Sequence, residues 1–131
     1  MLAVVWGAVT AAVVVVILAR LLLIGPIQQG RDVLARRRQA RQRAEELLLA
    51  WLSPQQRLQY RAGGRFEVTT AAGHRYRVCP GGVVRLDRRG WAYCIEATTS
   101  VPVADELLAF KLLLETDEPR FLATAHRYPW H

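Results

Sequence analysis

Apolar residues follow three different rhythms along this chain. Residues 2–19 are Leu, Ala, Val, Ile and Trp, broken only by Gly7 and Thr10; after Arg20 the run resumes as Leu21-Leu22-Leu23-Ile24 and stops at Gly25-Pro26. About 20 apolar residues at about 1.5 Å rise cross a hydrocarbon core, so this stretch predicts one transmembrane helix. Val13-Val14-Val15-Val16-Ile17 is β-branched, yet in lipid the backbone must satisfy its own hydrogen bonds, and helix wins. Trp6 suits one interface, and Arg20 lies within a turn of the other, where its stem reaches the headgroups. A cleaved signal peptide needs a basic segment before a shorter apolar core, and nothing basic precedes Leu2, so the reading is an uncleaved anchor.

The second rhythm is polar. Residues 27–46 hold six Arg and three acids among Gln and Ala, with Val33 and Leu34 the large apolar residues after Ile27. These are good helix formers, and a helix starting near Arg31 or Asp32 would be polar nearly all round.

The third rhythm is that of a small α+β domain. Leu47-Leu48-Leu49-Ala50-Trp51-Leu52 is the first run that wants a protein core. Ser53-Pro54-Gln55-Gln56 then reads as a helix start with a capping box, for a short helix to Tyr60 or Arg61 that stops at Gly63-Gly64. Four strand-like runs follow, at residues 66–70, 75–79, 83–86 and 91–97, with glycine in each connection, as in an antiparallel meander of three to four strands. Alternation puts Phe66, Val68, Tyr76 and Val78 on one face, opposite Glu67, Arg75 and Arg77. Trp91, Tyr93 and Ile95 continue the apolar side, with Cys94 and Glu96 on the other. Two helices close the chain, one from about Pro102 and Asp105 to Thr116, the other from Glu118-Pro119 and ending before Tyr128-Pro129. Leu107, Phe110 and Leu114 make the first of these apolar round most of its circumference. Such a helix is covered on several sides, by its own domain or by a partner. The organisation is therefore an anchor (1–25), a basic neck (26–46) and an α+β domain (47–131).

Charge fixes an orientation. The chain has 131 residues and a net charge of +7. Arg20, Arg31, Arg36, Arg37, Arg38, Arg41 and Arg43 all follow the apolar span, so the positive-inside rule puts the N-terminus outside and the domain in the cytoplasm. The same arginines suit anionic headgroups, at about 1 kcal/mol per residue near the surface. Beyond the neck, residues 57–94 carry eight Arg against Glu67 and Asp87, net +6, whereas residues 95–120 carry six acids against Lys111 and Arg120, net −4. Arg65, Arg75, Arg77, Arg85, Arg88 and Arg89 thus form a candidate anion-binding flank for nucleic acid or lipid phosphates. The alternative is a solvated arginine face balanced by the acidic helices.

Catalytic chemistry is hard to find. Cys79 and Cys94 remain reduced in a cytoplasmic domain, although a reversed topology would open the way to a disulfide between strands. His74, Cys79, Cys94 and His126 lack the paired short spacings of a zinc site. Asp105-Glu106 and Asp117-Glu118 fit helix N-terminal turns, and neither Gly63-Gly64 nor Gly81-Gly82 is followed by the Lys and Ser/Thr of a phosphate loop. No catalytic, metal or cofactor site is expected.

Several local patterns together carry a resemblance. Leu52-Ser53-Pro54-Gln55-Gln56, Gly73-His74-Arg75-Tyr76-Arg77-Val78, Cys94, Pro102-Val103-Ala104-Asp105 and the run from Lys111 to Glu118, then Phe121 and Ala125, resemble a small uncharacterised domain of bacterial and phage hypothetical proteins. The likeness covers about residues 52–126, more than half of the chain, and implies no activity. The seventeen-to-one excess of Arg over Lys points the same way, to a GC-rich bacterial coding sequence.

The expectation is therefore a non-catalytic, single-pass protein of the bacterial inner membrane. Its partners are anionic lipid and an integral membrane complex, on which it docks through Leu107, Phe110 and Leu114. A membrane-tethered nucleic-acid or anionic-lipid binding module is the less favoured alternative.

Overall fold

A computed structural model describes residues 2–88, 90–96 and 100–130, with the backbone alone at residues 2–6, 8 and 24–27. The Trp6 side chain, Arg89 and Ala97 therefore lie outside the described residues. The elements are α1 (Leu2–Trp51), α2 (Pro54–Gly63), β1 (Phe66–Thr69), β2 (Arg75–Cys79), β3 (Gly82–Arg85), β4 (Trp91–Cys94), α3 (Val103–Thr116), α4 (Glu118–Thr124) and β5 (His126–Pro129). The strands form one antiparallel sheet in the order β1-β2-β3-β4-β5. The chain is α+β, as its patterning predicts.

Residues group into two compact units, Met1–Gln39 and Ala40–His131. In the first, α1 is apolar and uncovered: Val13 to Leu18 are each at least half exposed and Leu21, Leu22 and Leu23 are 68–73% exposed. It carries the one stretch among the described residues long and apolar enough to cross a membrane. The expected interruption at Gly25-Pro26 is absent, because α1 continues through both residues into the neck and on to Trp51. A proline inside a helix removes one backbone bond, and the strong helix formers on both sides carry the helix past it.

The second unit has its own core. Ala44 and Leu48 on the end of α1 and Leu52 just past it recur every four residues and are buried. They meet the sheet face formed by Phe66, Val68, Tyr76, Val78, Val83 and Tyr93, closed by Leu107, Leu108, Phe110 and Leu114 of α3 and Phe121 of α4. Phe121 sits among Tyr76, Tyr93 and Phe110, with ring centroids 6.0–6.4 Å away at steep angles. Such edge-to-face pairs add to area burial.

Local chemistry sets the boundaries. Ser53 and Gln56 form the reciprocal capping box of α2, with Pro54 at the first turn. Gly64 ends the helix in the left-handed region at φ 67°, where only glycine avoids strain. Asp117 caps α4 by accepting from the Arg120 N–H at 3.1 Å.

Among the described residues the sheet has five strands, where three to four were expected. β5 was hidden because all four of its residues are exposed, so His-Arg-Tyr-Pro has no apolar alternation to read. Its register sets Cys94 against His126, Ala92 against Tyr128 and Trp91 against Pro129. Arg127 lies 4.0 Å over the Trp91 ring. A side chain on Gly82 would meet the Tyr128 hydroxyl and the Tyr93 carbonyl, both at 2.9 Å, so glycine there lets β5 lay Tyr128 across the sheet.

Candidate functional site

The expected lipid contacts, Arg20, Arg31, Arg36, Arg37, Arg38, Arg41 and Arg43, are all exposed on α1. Their placement after the apolar stretch puts them on one element with it.

The candidate anion-binding arginines divide between two faces of the sheet. Arg75 and Arg77 point outward from β2 because residues two apart share a face. Both hydrogen-bond Glu67 of β1, at 2.9 and 3.2 Å. The bond from Arg75, helped by Arg77, outweighs the effect of burial and holds the Glu67 carboxyl below its ordinary range. Arg65 and Arg77 border a shallow hollow of about 340 Å³ with Gln59 and Gly63.

Arg85 does not join them. It lies opposite Tyr76 and shares the core face, 5.7 Å from the Tyr76 ring. Its Nε and Nη2 donate to the two carboxylate oxygens of Asp87, at 2.8 and 3.0 Å, and this bidentate pairing holds the Asp87 carboxyl at about 2. Arg88 is exposed. Of the flank read from the sequence, Arg75 and Arg77 share one carboxylate with Arg65 close by, and Arg85 is taken up by Asp87.

Leu107, Phe110 and Leu114, expected as a partner surface, are 0%, 3% and 1% exposed. Leu107 and Leu114 cover the chain's own sheet and offer nothing to a partner. A helix apolar on several sides is explained here by an intramolecular core and by a groove on its other flank. That groove, of about 440 Å³, is lined by Ile95, Val101, Ala109, Phe110 and Leu113, with Asp105 and Glu106 at its rim.

One polar cluster escaped the sequence altogether. The Tyr76 hydroxyl donates to Glu118 Oε1 at 2.6 Å, and His74 Nδ1 lies 2.6 Å from the same oxygen. Burial would raise the Glu118 carboxyl, but Tyr76, Thr70 and His74 together hold it below its ordinary value. The buried Thr70 hydroxyl acts on that carboxylate without completing a hydrogen bond of ordinary geometry. Burial, followed by the hydrogen bond to Glu118, pushes the Tyr76 phenol well above its usual range. Phenol and carboxylate are thereby locked in their neutral and ionised forms, which suits a structural tie.

The cysteines are free and half-buried. β3 separates β2 from β4, so Cys79 and Cys94 stand about two strand spacings, ~10 Å, apart. A disulfide needs Cα atoms within about 7 Å, so bridging the strands would require backbone movement. Burial raises both thiols, and for Cys94 the nearby Glu106 and Glu96 add to it. Among the described residues, no three His, Cys, Asp or Glu side chains come together as a metal site would require. No family model, curated protein or solved structure matches the chain.

Proposed function

We propose that this chain is a non-catalytic, single-pass membrane protein of the bacterial inner membrane whose cytoplasmic α+β domain docks on a larger membrane complex. The observation that carries the reading is the apolar length of α1, uncovered in a chain whose folded domain has a complete core of its own. Such a surface needs lipid, and the arginines that follow it orient the domain towards the cytoplasm. Docking is supported by large apolar side chains left on the domain surface: Leu47 and Trp51, one helical turn apart, are 48% and 56% exposed. Tryptophan and arginine are favoured at the centres of protein interfaces. The resemblance of residues 52–126 to a portable bacterial and phage domain fits an anchor joined to an interaction module.

Affinity capture of the tagged chain from native membranes in mild detergent tests this. A stoichiometric membrane-protein partner is expected. Recovery of this chain alone, at every detergent concentration tried, would overturn docking.

A second reading, a membrane-tethered module for nucleic acid or anionic lipid, is favoured by one observation. Arg75 and Arg77 share a single carboxylate on the outward face of the sheet, with Arg65 beside them, which leaves surplus positive charge there.

A further inference from the structure

Asp105, Ala109 and Leu113 recur at intervals of four along α3, and Glu106 with Phe110 forms the adjoining row. Ile95, just past β4, and Val101 make the facing wall of a groove of about 440 Å³. This lies within the range of ligand-binding clefts. Phe110 is its nearly buried floor, whereas Ala109 and Val101 are open to solvent. Two carboxylates thus stand beside an apolar slot, and among the described residues no Lys or Arg side chain pairs with either of them. The slot fits an apolar side chain with cations one turn along the same helix.

That arrangement exists in this chain. Leu34 of α1 is 56% exposed, and Arg37 and Arg38 follow it at the spacings that share a helix face. Val33, 48% exposed, stands in the same relation to Arg36 and Arg37. The net charge is +4 over residues 1–46 and −4 over residues 95–120, so slot and helix are complementary in charge.

We propose that the groove of one copy receives Leu34 from α1 of a second copy, with Arg37 and Arg38 against Asp105 and Glu106. Exchanged reciprocally, the contact occurs twice and closes a two-fold dimer without a third component. The proposal does not rest on docking to a complex. A dimer that captures no other protein would support it while overturning that reading, and a monomer bound to a complex would do the reverse.

The test uses the full chain in detergent micelles, with a photo-reactive phenylalanine analogue in place of Leu34 and two differently tagged populations mixed. The expected result is a particle containing two chains and a cross-link from position 34 of one copy to Val103–Thr116 of the other. Ala109→Arg fills the open side of the slot without touching the core, and should abolish the cross-link and return the mass to that of one chain. Asp105→Lys with Glu106→Lys should do the same, and Arg37→Glu with Arg38→Glu added to it should restore both signals. A monomer at every concentration, cross-linking confined to detergent, to another protein or to the same copy, or a dimer indifferent to these substitutions would overturn the proposal.

Discussion

Tyr76 in β2 and Glu118 at the start of α4 meet through a 2.6 Å hydrogen bond across 42 residues of sequence. The bond ties the hairpin of β1 and β2 to the helix that seats Phe121 in the core, and His74 holds the same carboxylate oxygen. A hydrogen bond to a charged group contributes about 1.5–3 kcal/mol, and breaking it here leaves a buried carboxylate short of a donor. Tyr76→Phe keeps the ring that packs on Phe121 and removes only the donor. It is expected to lower unfolding stability by about 1.5–3 kcal/mol in urea titrations at pH 7. A loss below about 0.5 kcal/mol would mean that the tie contributes nothing net.

The same carboxylate sets an acid dependence. Its folded-state pKa lies below the ordinary 4.5, so the ionised form is favoured by folding. The contribution is complete above about 4.5 and is lost as pH falls through the lower, folded value. Glu67, held down by Arg75, acts in the same direction. Urea midpoints should therefore be flat around neutrality and fall steeply below about pH 4.5. Glu118→Gln should be less stable at pH 7 but lose less between pH 7 and pH 3. An unchanged slope in that variant would rule out Glu118 as its source.

The two edges of the sheet are managed differently. At β1, the Gln59 side-chain carbonyl accepts from the Glu67 N–H at 2.9 Å, and the Gln56 amide donates to the Glu67 carbonyl at 2.9 Å. Two side chains of α2 thus occupy the groups that a neighbouring strand would use. At β5 the edge carries Pro129, which has no N–H to offer. Replacing Gln56 and Gln59 together with Ala should cost about 1–3 kcal/mol and uncover the β1 edge. Size-exclusion profiles over a concentration series should then show self-association that the parent lacks. Parent-like elution and stability would show that the edge needs no cover.

What could be read from the sequence follows from how local each signal is. Phe66, Val68, Tyr76 and Val78 alternate with charged residues, so their common face is visible in the string and is the buried one. Ser53 and Gln56 announce the start of α2 three residues apart. That Gln56 also reaches the edge of β1 has no local signature, since its Oε1 serves the cap while the Nε2 that donates to Glu67 takes no part in it. Asp117-Glu118 reads as a pair of helix-start acids. Both are, Asp117 as the cap and Glu118 in the first turn of α4, but Glu118 is also buried against Tyr76, a partner no spacing rule reaches. Gly25-Pro26 reads as a break, and the helix formers on either side carry α1 through it.

The end of α1 belongs to the domain in the most literal sense, since Leu48 is fully buried among sheet and α3 residues. A fragment of residues 40–131 retains Ala44, Leu48 and Leu52 and should fold in water with a cooperative urea transition. Starting at residue 53 removes all three and should prevent folding. In the longer fragment, Leu48→Ala should cost about 2–5 kcal/mol, the usual penalty for truncating a buried Leu. A fragment lacking α1 that still unfolded cooperatively would show that the sheet and α3 suffice.

Topology can be read from the native thiols. Cys79 and Cys94 both lie in the domain, half-buried, and burial raises their pKa, so a maleimide should label them slowly at pH 7 and faster as pH rises. With the domain in the cytoplasm, a membrane-impermeant maleimide should fail to label the chain in intact spheroplasts and should label it once the membrane is permeabilised. Replacing Arg36, Arg37, Arg38, Arg41 and Arg43 with Gln removes most of the charge that retains this side. A labelled fraction should then appear in intact spheroplasts. The slow thiols demand a control in which the permeabilised sample reaches completion within the labelling time. Rapid labelling of the parent chain in intact spheroplasts would place the domain on the outer side and overturn the orientation taken from the arginines.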